Sequence, residues 1–216
     1  MTERIANRSK AAAGGNFSDT AYNYINGTSE KYVGDFVSGD RDRFVIATKY
    51  TLTLRKDDPN AGGNHRKNMM RSVEESLKRV NTGYIDLYWL HMWDFTTPVE
   101  EVLRGMDDLV RAGKVLYVGI SDSPAWVASY ATAVAELRGW SRFVGLQAPY
   151  SLADRSVERG LLPMAHTLDM AVTAWGLLEG GELTGKYNKP TSEPKRSDDT
   201  SSQIKSLADR FAQPQT

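Results

Sequence analysis

Asp19, Tyr24, Lys49 and His91 are the residues of this chain whose types and spacing could do chemistry together, because each lies at or just beyond the end of an apolar, β-rich run. A carbonyl becomes an alcohol when its carbon receives a hydride and its oxygen receives a proton. A free tyrosine ionises near pH 10, so it gives up that proton sluggishly at neutrality. An ammonium beside the phenol stabilises the phenolate and lowers its pKa, which is the role this pattern assigns to Lys49. Asp19 then keeps Lys49 charged and oriented, and His91 positions the carbonyl oxygen through a hydrogen bond. The set predicts that Tyr24 is the acid in reduction and the base in alcohol oxidation, with the hydride coming from a nicotinamide nucleotide.

Such residues need rigid elements beneath them. Short β-rich runs, Asn16 to Ala21, Phe44 to Thr48, Tyr84 to His91, Val115 to Ile120, Phe143 to Gln147 and Ala171 to Trp175, alternate with amphipathic stretches whose apolar positions recur every three or four residues. These stretches lie near Ser29 to Ser38, His65 to Val80, Pro98 to Ala112, Pro124 to Leu137 and Ser156 to Leu168. Pro98 and Pro124 suit the first helical position, and Gly113 and Gly139 suit helix ends. The alternation predicts a parallel sheet with helical crossovers. Asp19, Lys49, His91, Ser121 and Gln147 fall at the carboxyl ends of the runs, the rim where a β/α barrel carries its chemistry. No GxGxxG turn follows an early strand, which argues against a doubly wound dinucleotide domain.

Composition removes other classes. Lys plus Arg and Asp plus Glu are balanced at 27 each in 216 residues, without the excess of a nucleic-acid or anionic-membrane binder. The absence of cysteine excludes disulfides and thiolate chemistry. No run approaches the roughly 20 apolar residues of a membrane span, and the expected location is the cytoplasm. Three histidines without clustered ligands make a poor metal site, and His65 and His166 read as ordinary helix residues, so no metal is expected. The basic residues Arg66, Lys67, Arg71, Lys78 and Arg79 are expected to form a solvated helix face.

From about Gly14 to Tyr187 the chain resembles the aldo-keto reductases, through GGNFSDTAYNYINGTSEK, RFVIATKY, YIDLYWLH, GKVLYVGISD and LTGKY in that order. The resemblance implies a TIM-type (β/α)8 barrel, incomplete here, with about six βα units that correspond to strands two to seven of the family. It implies the catalytic tetrad Asp19, Tyr24, Lys49 and His91, an NADP(H) cofactor and a small-molecule aldehyde or ketone as substrate. Ser121, Asp122 and Gln147 match the carboxamide pocket, Trp175 the ring that stacks on the nicotinamide, and Gly176, Leu178 and Lys186 the pyrophosphate loop. Asp122 stands where many relatives carry Asn, and an ionised Asp only accepts hydrogen bonds.

After the seventh family strand relatives read AWSPLGGGLLTGKY and this chain reads AWGLLEGGELTGKY, so Glu179 and Glu182 bring negative charge beside the pyrophosphate loop. The chain is expected to be one domain over residues 1–216, partial at both ends, with a polar loop and helix over 188–216. An incomplete barrel exposes strand edges, which predicts a homo-oligomer formed through them. Trp93, Phe95, Tyr22 and Tyr50 suggest an aromatic mouth for an apolar carbonyl. The alternatives are an impaired nucleotide-binding relative resembling the potassium-channel β-subunits, an inactive gene fragment, and, least favoured, a divalent-metal hydrolase.

Overall fold

Every predicted β-rich run contains a strand, and each of the first five is followed by an α-helix. The computed structural model describes residue 11 and residues 13–185. The strands are β1 (Phe17–Asp19), β2 (Val45–Tyr50), β3 (Ile85–Leu90), β4 (Val115–Ser121), β5 (Phe143–Pro149) and β6 (Ala171–Trp175). Between them run α1 (Thr28–Val37), α2 (Arg66–Val80), α3 (Val99–Arg111), α4 (Ala125–Arg138) and α5 (Leu161–Thr167). The six strands form one sheet in sequence order, and each neighbouring pair from β1 to β5 is parallel. A strictly sequential parallel order belongs to β/α barrels, since a doubly wound sheet reverses its order at a switch point. β1 and β6 stand at the two ends of that order.

Contacts divide the chain into two units. One contains residues up to 148 together with 157–173, and the other contains 149–156 and residues from 174 onward. The core of the first takes strand residues from both faces of the sheet: Ile46, Ala47, Ile85, Leu90, Ile120 and Leu146 are all fully buried. The helix positions Met69 and Val73, Leu103 and Met106, and Ala128 and Ala131 are buried as well, at the three-to-four-residue spacing seen in the sequence.

Local differences from the sequence reading have local causes. Pro98 and Pro124 sit one residue earlier than predicted, as extended N-caps with ψ of 141° and 146°, because each ring fixes φ while leaving the helix to begin at the next residue. The single helix predicted over Ser156 to Leu168 is broken at Gly160, leaving a 3₁₀ turn at Ser156–Arg159 and the short α5.

Arg66, Lys67 and Lys78 are exposed as the expected solvated face requires, but Arg79 is not. Its guanidinium donates to Glu30 at 3.0 Å, to Glu75 at 3.1 Å and to the carbonyl of Tyr22 at 2.8 Å, and it stacks on the Tyr22 ring 4.4 Å from the centroid. Glu30 is completely buried and also accepts the Thr48 hydroxyl at 2.7 Å. Tyr22 donates its own hydroxyl to Glu75 at 2.7 Å. This network ties α2 to α1 and to the segment just before Tyr24. Arg79→Met would leave the Glu30 carboxylate buried without its cation, and it should destabilise the chain by about 3–5 kcal/mol in a denaturant titration.

Candidate active site

β1 and β2 place an acid and a base on the same side of the sheet. Asp19 pairs in register with Ala47 and Lys49 lies two residues further along, so both side chains project from one face. Lys49 is 1% exposed, and its ammonium donates to Asp19 Oδ2 at 2.5 Å and to the Thr20 carbonyl at 2.8 Å. Burial lowers the Lys49 pKa, and the Asp19 carboxylate opposes that shift. Asp19 Oδ1 accepts the indole N–H of Trp89 at 3.0 Å.

Tyr24 stands above this pair in a turn of unusual backbone. Ile25, Asn26 and Gly27 all have positive φ, at 48°, 52° and 80°, and a β-branched residue rarely adopts that region. The turn is braced from both sides. Tyr22 donates its amide to the Lys49 carbonyl at 3.0 Å, and Arg79 fills the space beside Gly27, where a Cβ would lie 2.7 Å from the guanidinium carbon. The Tyr24 ring centroid lies 4.9 Å from the Lys49 ammonium and 5.8 Å from the His91 ring, which it meets edge to face. The four predicted residues therefore come together.

Their electrostatics differ from the sequence expectation in one respect. The surroundings of the phenol and then the carboxylates of Asp19 and Asp122 push the Tyr24 pKa up to about 12, whereas Lys49 had been expected to lower it. Burial of the phenol is the largest cause and the two carboxylates add to it, while the ammonium is engaged by Asp19. Tyr24 still has 39% of its surface exposed, which leaves it open to an incoming molecule.

Burial and the charge of Lys49 lower the His91 pKa from 6.5 to about 3, so its ring is neutral at ordinary pH. A neutral imidazole carries one N–H. His91 Nδ1 is buried without a hydrogen-bond partner, so the proton belongs on Nε2, where the ring acts as a neutral donor.

Ser121, the last residue of β4, and Gln147, two residues before the end of β5, are register partners, 1% and 5% exposed. Neither the Ser121 hydroxyl nor the Gln147 amide has a side-chain hydrogen bond among the described residues, and an adjacent hydroxyl and amide of this kind suit a carboxamide. Asp122 follows with a positive φ of 37° and donates its amide to the Gln147 carbonyl at 3.4 Å. In the second unit, Trp175, Leu177 and Leu178 line a cavity of about 640 Å³ with Gly176, Gly180 and Gly181. All three glycines have positive φ, so that lining is backbone without Cβ atoms. Glu179 is drawn back within the same unit, since its carboxylate accepts the Ser151 hydroxyl at 2.6 Å. Lys186 and the segment 188–216 lie outside the described residues.

The expected aromatic mouth shrinks. Tyr22 and Tyr50 are buried, the first bound to Glu75 and the second stacked on Tyr88 at 5.4 Å, and Trp93 is nearly buried. Phe95 alone of the four is open, with 56% of its surface exposed. Trp89 was absent from the sequence reading. Its signal was a tryptophan in a strand whose two succeeding strands carry interior glycines, Gly119 and Gly145. Among the described residues, no group of His, Cys, Asp or Glu could hold a metal, and no helix is long and apolar enough to cross a membrane.

The aldo/keto reductase family model matches residues 4–213. The chain is 45% identical over 177 residues to norsolorinic acid reductase stcV of Emericella nidulans, covering 79% of this chain and 46% of that protein. It is 40% identical over 181 residues to an NADP(+) aryl-alcohol dehydrogenase of Phanerodontia chrysosporium, covering 79% and 47%. It is also 40% identical over 184 residues to the aldo-keto reductase ausK of Emericella nidulans, covering 82% and 46%. The chain thus spans about half the length of the curated relatives it matches.

The neutral His91 has a measurable consequence. An unfolded chain binds a proton at this histidine below pH 6.5, whereas the folded chain resists until about pH 3, so between those values the unfolded state holds more protons. The contribution of His91 to stability is complete above pH 6.5 and is lost as pH falls through that window. In an NMR titration its imidazole signals should stay at neutral positions from about pH 8 to about pH 5, and His91→Gln should flatten the acid side of the stability profile.

Proposed function

The chain belongs to the aldo/keto reductase family, and from that premise we propose that it reduces an aldehyde or ketone to an alcohol, with Tyr24 as the proton donor. The observation that carries this reading is the Lys49–Asp19 pair at 2.5 Å with the Tyr24 ring 4.9 Å from its ammonium. A bound nicotinamide nucleotide, NADP(H) by the name of one relative, would supply the hydride. In the first unit Ser121, Asp122 and Gln147 would hold its carboxamide. Trp175, Gly176 and Leu178 would serve the nicotinamide face and the pyrophosphate, with Lys186 adding positive charge.

The roles follow from the charges. As the carbonyl carbon accepts the hydride, negative charge gathers on its oxygen, and the Nε2–H of His91 orients and stabilises that oxygen. Tyr24 Oη gives its proton to the alkoxide and becomes a phenolate, which later regains a proton from solvent. A phenol whose pKa lies near 12 is fully protonated at neutral pH, the state that reduction requires. The Lys49 ammonium acts as the phenolate forms, which is stabilisation confined to the transition state and the step after it. Tyr24 would have to be deprotonated for alcohol oxidation, so its resting state at neutral pH is the one set for reduction.

The name of the aryl-alcohol dehydrogenase relative and the exposed Phe95 together favour an aromatic carbonyl as substrate. Oligomerisation through the end strands belongs to the same proposal. The test is NADPH consumption by the purified chain with a small aromatic aldehyde. Tyr24→Phe should lower kcat by roughly 10²–10⁴-fold, the usual contribution of a positioned acid, with NADPH binding unchanged. Equal rates from the two proteins would sink the assignment of Tyr24.

A further inference from the structure

We infer that Trp89 is a positioning residue for the site: its indole N–H fixes the Asp19 carboxylate that in turn holds Lys49, and the glycines at positions 119 and 145 are there to make room for it. This rests on the reading of Asp19, Lys49 and Tyr24 as the reacting set.

The sheet register provides the first argument. Lys49 is the partner of Trp89, Trp89 of Gly119, and Gly119 of Gly145, so the four occupy one row across β2 to β5. A Cβ built on Gly119 would lie 2.3 Å from Cε3 and Cζ3 of the indole, and one built on Gly145 would lie 3.0 Å from Cη2. Glycine weakens a strand interior unless something needs the space. Neither glycine has a positive φ, so backbone conformation does not call for them. The six-membered ring of Trp89 occupies the volume their side chains would fill.

Hydrogen bonding provides the second. Trp89 is fully buried, and a buried indole N–H requires an acceptor. It finds Asp19 Oδ1 at 3.0 Å, while Oδ2 of the same carboxylate takes Lys49 at 2.5 Å. One side chain thus spans from β5 to β1, with its benzo edge against the glycines and its N–H on the acid. Phenylalanine would keep an aromatic ring in the strand's row, though one too small to fill the space beside the glycines, and could not hold the carboxylate. Without the N–H, Asp19 is free to rotate about its terminal bond and its alignment with the ammonium is lost.

The experiment joins a spectroscopic readout to a kinetic one. The chain has five tryptophans, and the Trp89 indole N–H resonance is identified by its disappearance in Trp89→Phe. In the wild-type chain that resonance should be protected from solvent exchange and should move in Asp19→Asn. In turnover, Trp89→Phe should lower kcat about tenfold, as expected for loss of a hydrogen bond to a charged group, with KM for NADPH within about twofold of wild type. With Asp19 misaligned, burial acts on Lys49 less opposed, so the alkaline limb of the kcat profile should move to lower pH. Freely exchanging Trp89 signals, no response to Asp19→Asn, or a Trp89→Phe enzyme with wild-type kcat and pH limb would each overturn the inference. A folded wild-type chain without turnover would overturn the proposed function instead, and the indole resonance would still decide the role of Trp89. If Trp89→Phe fails to fold, Asp19→Asn decides by the same resonance, which the missing indole then no longer needs to assign: the signal that moves is Trp89 or the inference fails.

Discussion

A lysine ammonium withdrawn almost completely from water is the constraint around which this site is built. Burying such a charge costs several kcal/mol unless the protein replaces its hydration. Lys49 receives a carboxylate from Asp19, the carbonyl of Thr20 and the face of the Tyr24 ring. Each partner comes from the end of β1 or the turn after it, so the register of β1 on β2 decides whether the charge is tolerable at all. A slip by one residue would turn Asp19 to the opposite face and strand the ammonium.

The rest of the first unit keeps that turn in place. Tyr24 belongs to a segment with three successive positive φ values, a conformation that persists only where its neighbours enforce it. Arg79 from α2 and Glu30 from α1 provide that enforcement from outside the sheet, while the Tyr22 amide continues the ladder to Lys49. The same arrangement explains why the phenol keeps its proton. Burial of the phenol is the largest cause, the Asp19 and Asp122 carboxylates add to it, and the Tyr24 pKa stays high until a substrate oxygen begins to draw the proton away.

The parts of the fold legible in the sequence are those written in periodicity. Strand order, helix positions and the placement of Asp19, Lys49, His91, Ser121 and Gln147 at strand ends follow from short apolar runs alternating with amphipathic ones. The gathering of Tyr24 with the other three is legible through the resemblance, in which a tyrosine follows the aspartate by five residues. What escaped depends on side chains meeting across elements. Arg79 reads as one more cation on a basic helix, because nothing local shows that Glu30 is buried beside it. Tyr22 and Tyr50 read as rim aromatics because a strand-end residue has two faces to choose from and the sequence does not say which is covered. Trp89 draws no notice in the sequence, since its polar handle matters only once β1 is known to lie within its reach. The sign of the Tyr24 shift escapes for a related reason: the proximity of an ammonium is visible in the pattern, but the burial of the phenol, which contributes most to the shift, is not.

The most direct measurement is the state of Lys49 itself, observed by ¹⁵N NMR of the side-chain nitrogen in lysine-labelled chain, with Lys49→Met for assignment. The account predicts a charged ammonium at neutral pH whose protons exchange slowly with water, and predicts that Asp19→Asn abolishes that protection. A neutral amine, or an ammonium exchanging as freely as a surface lysine, would contradict it.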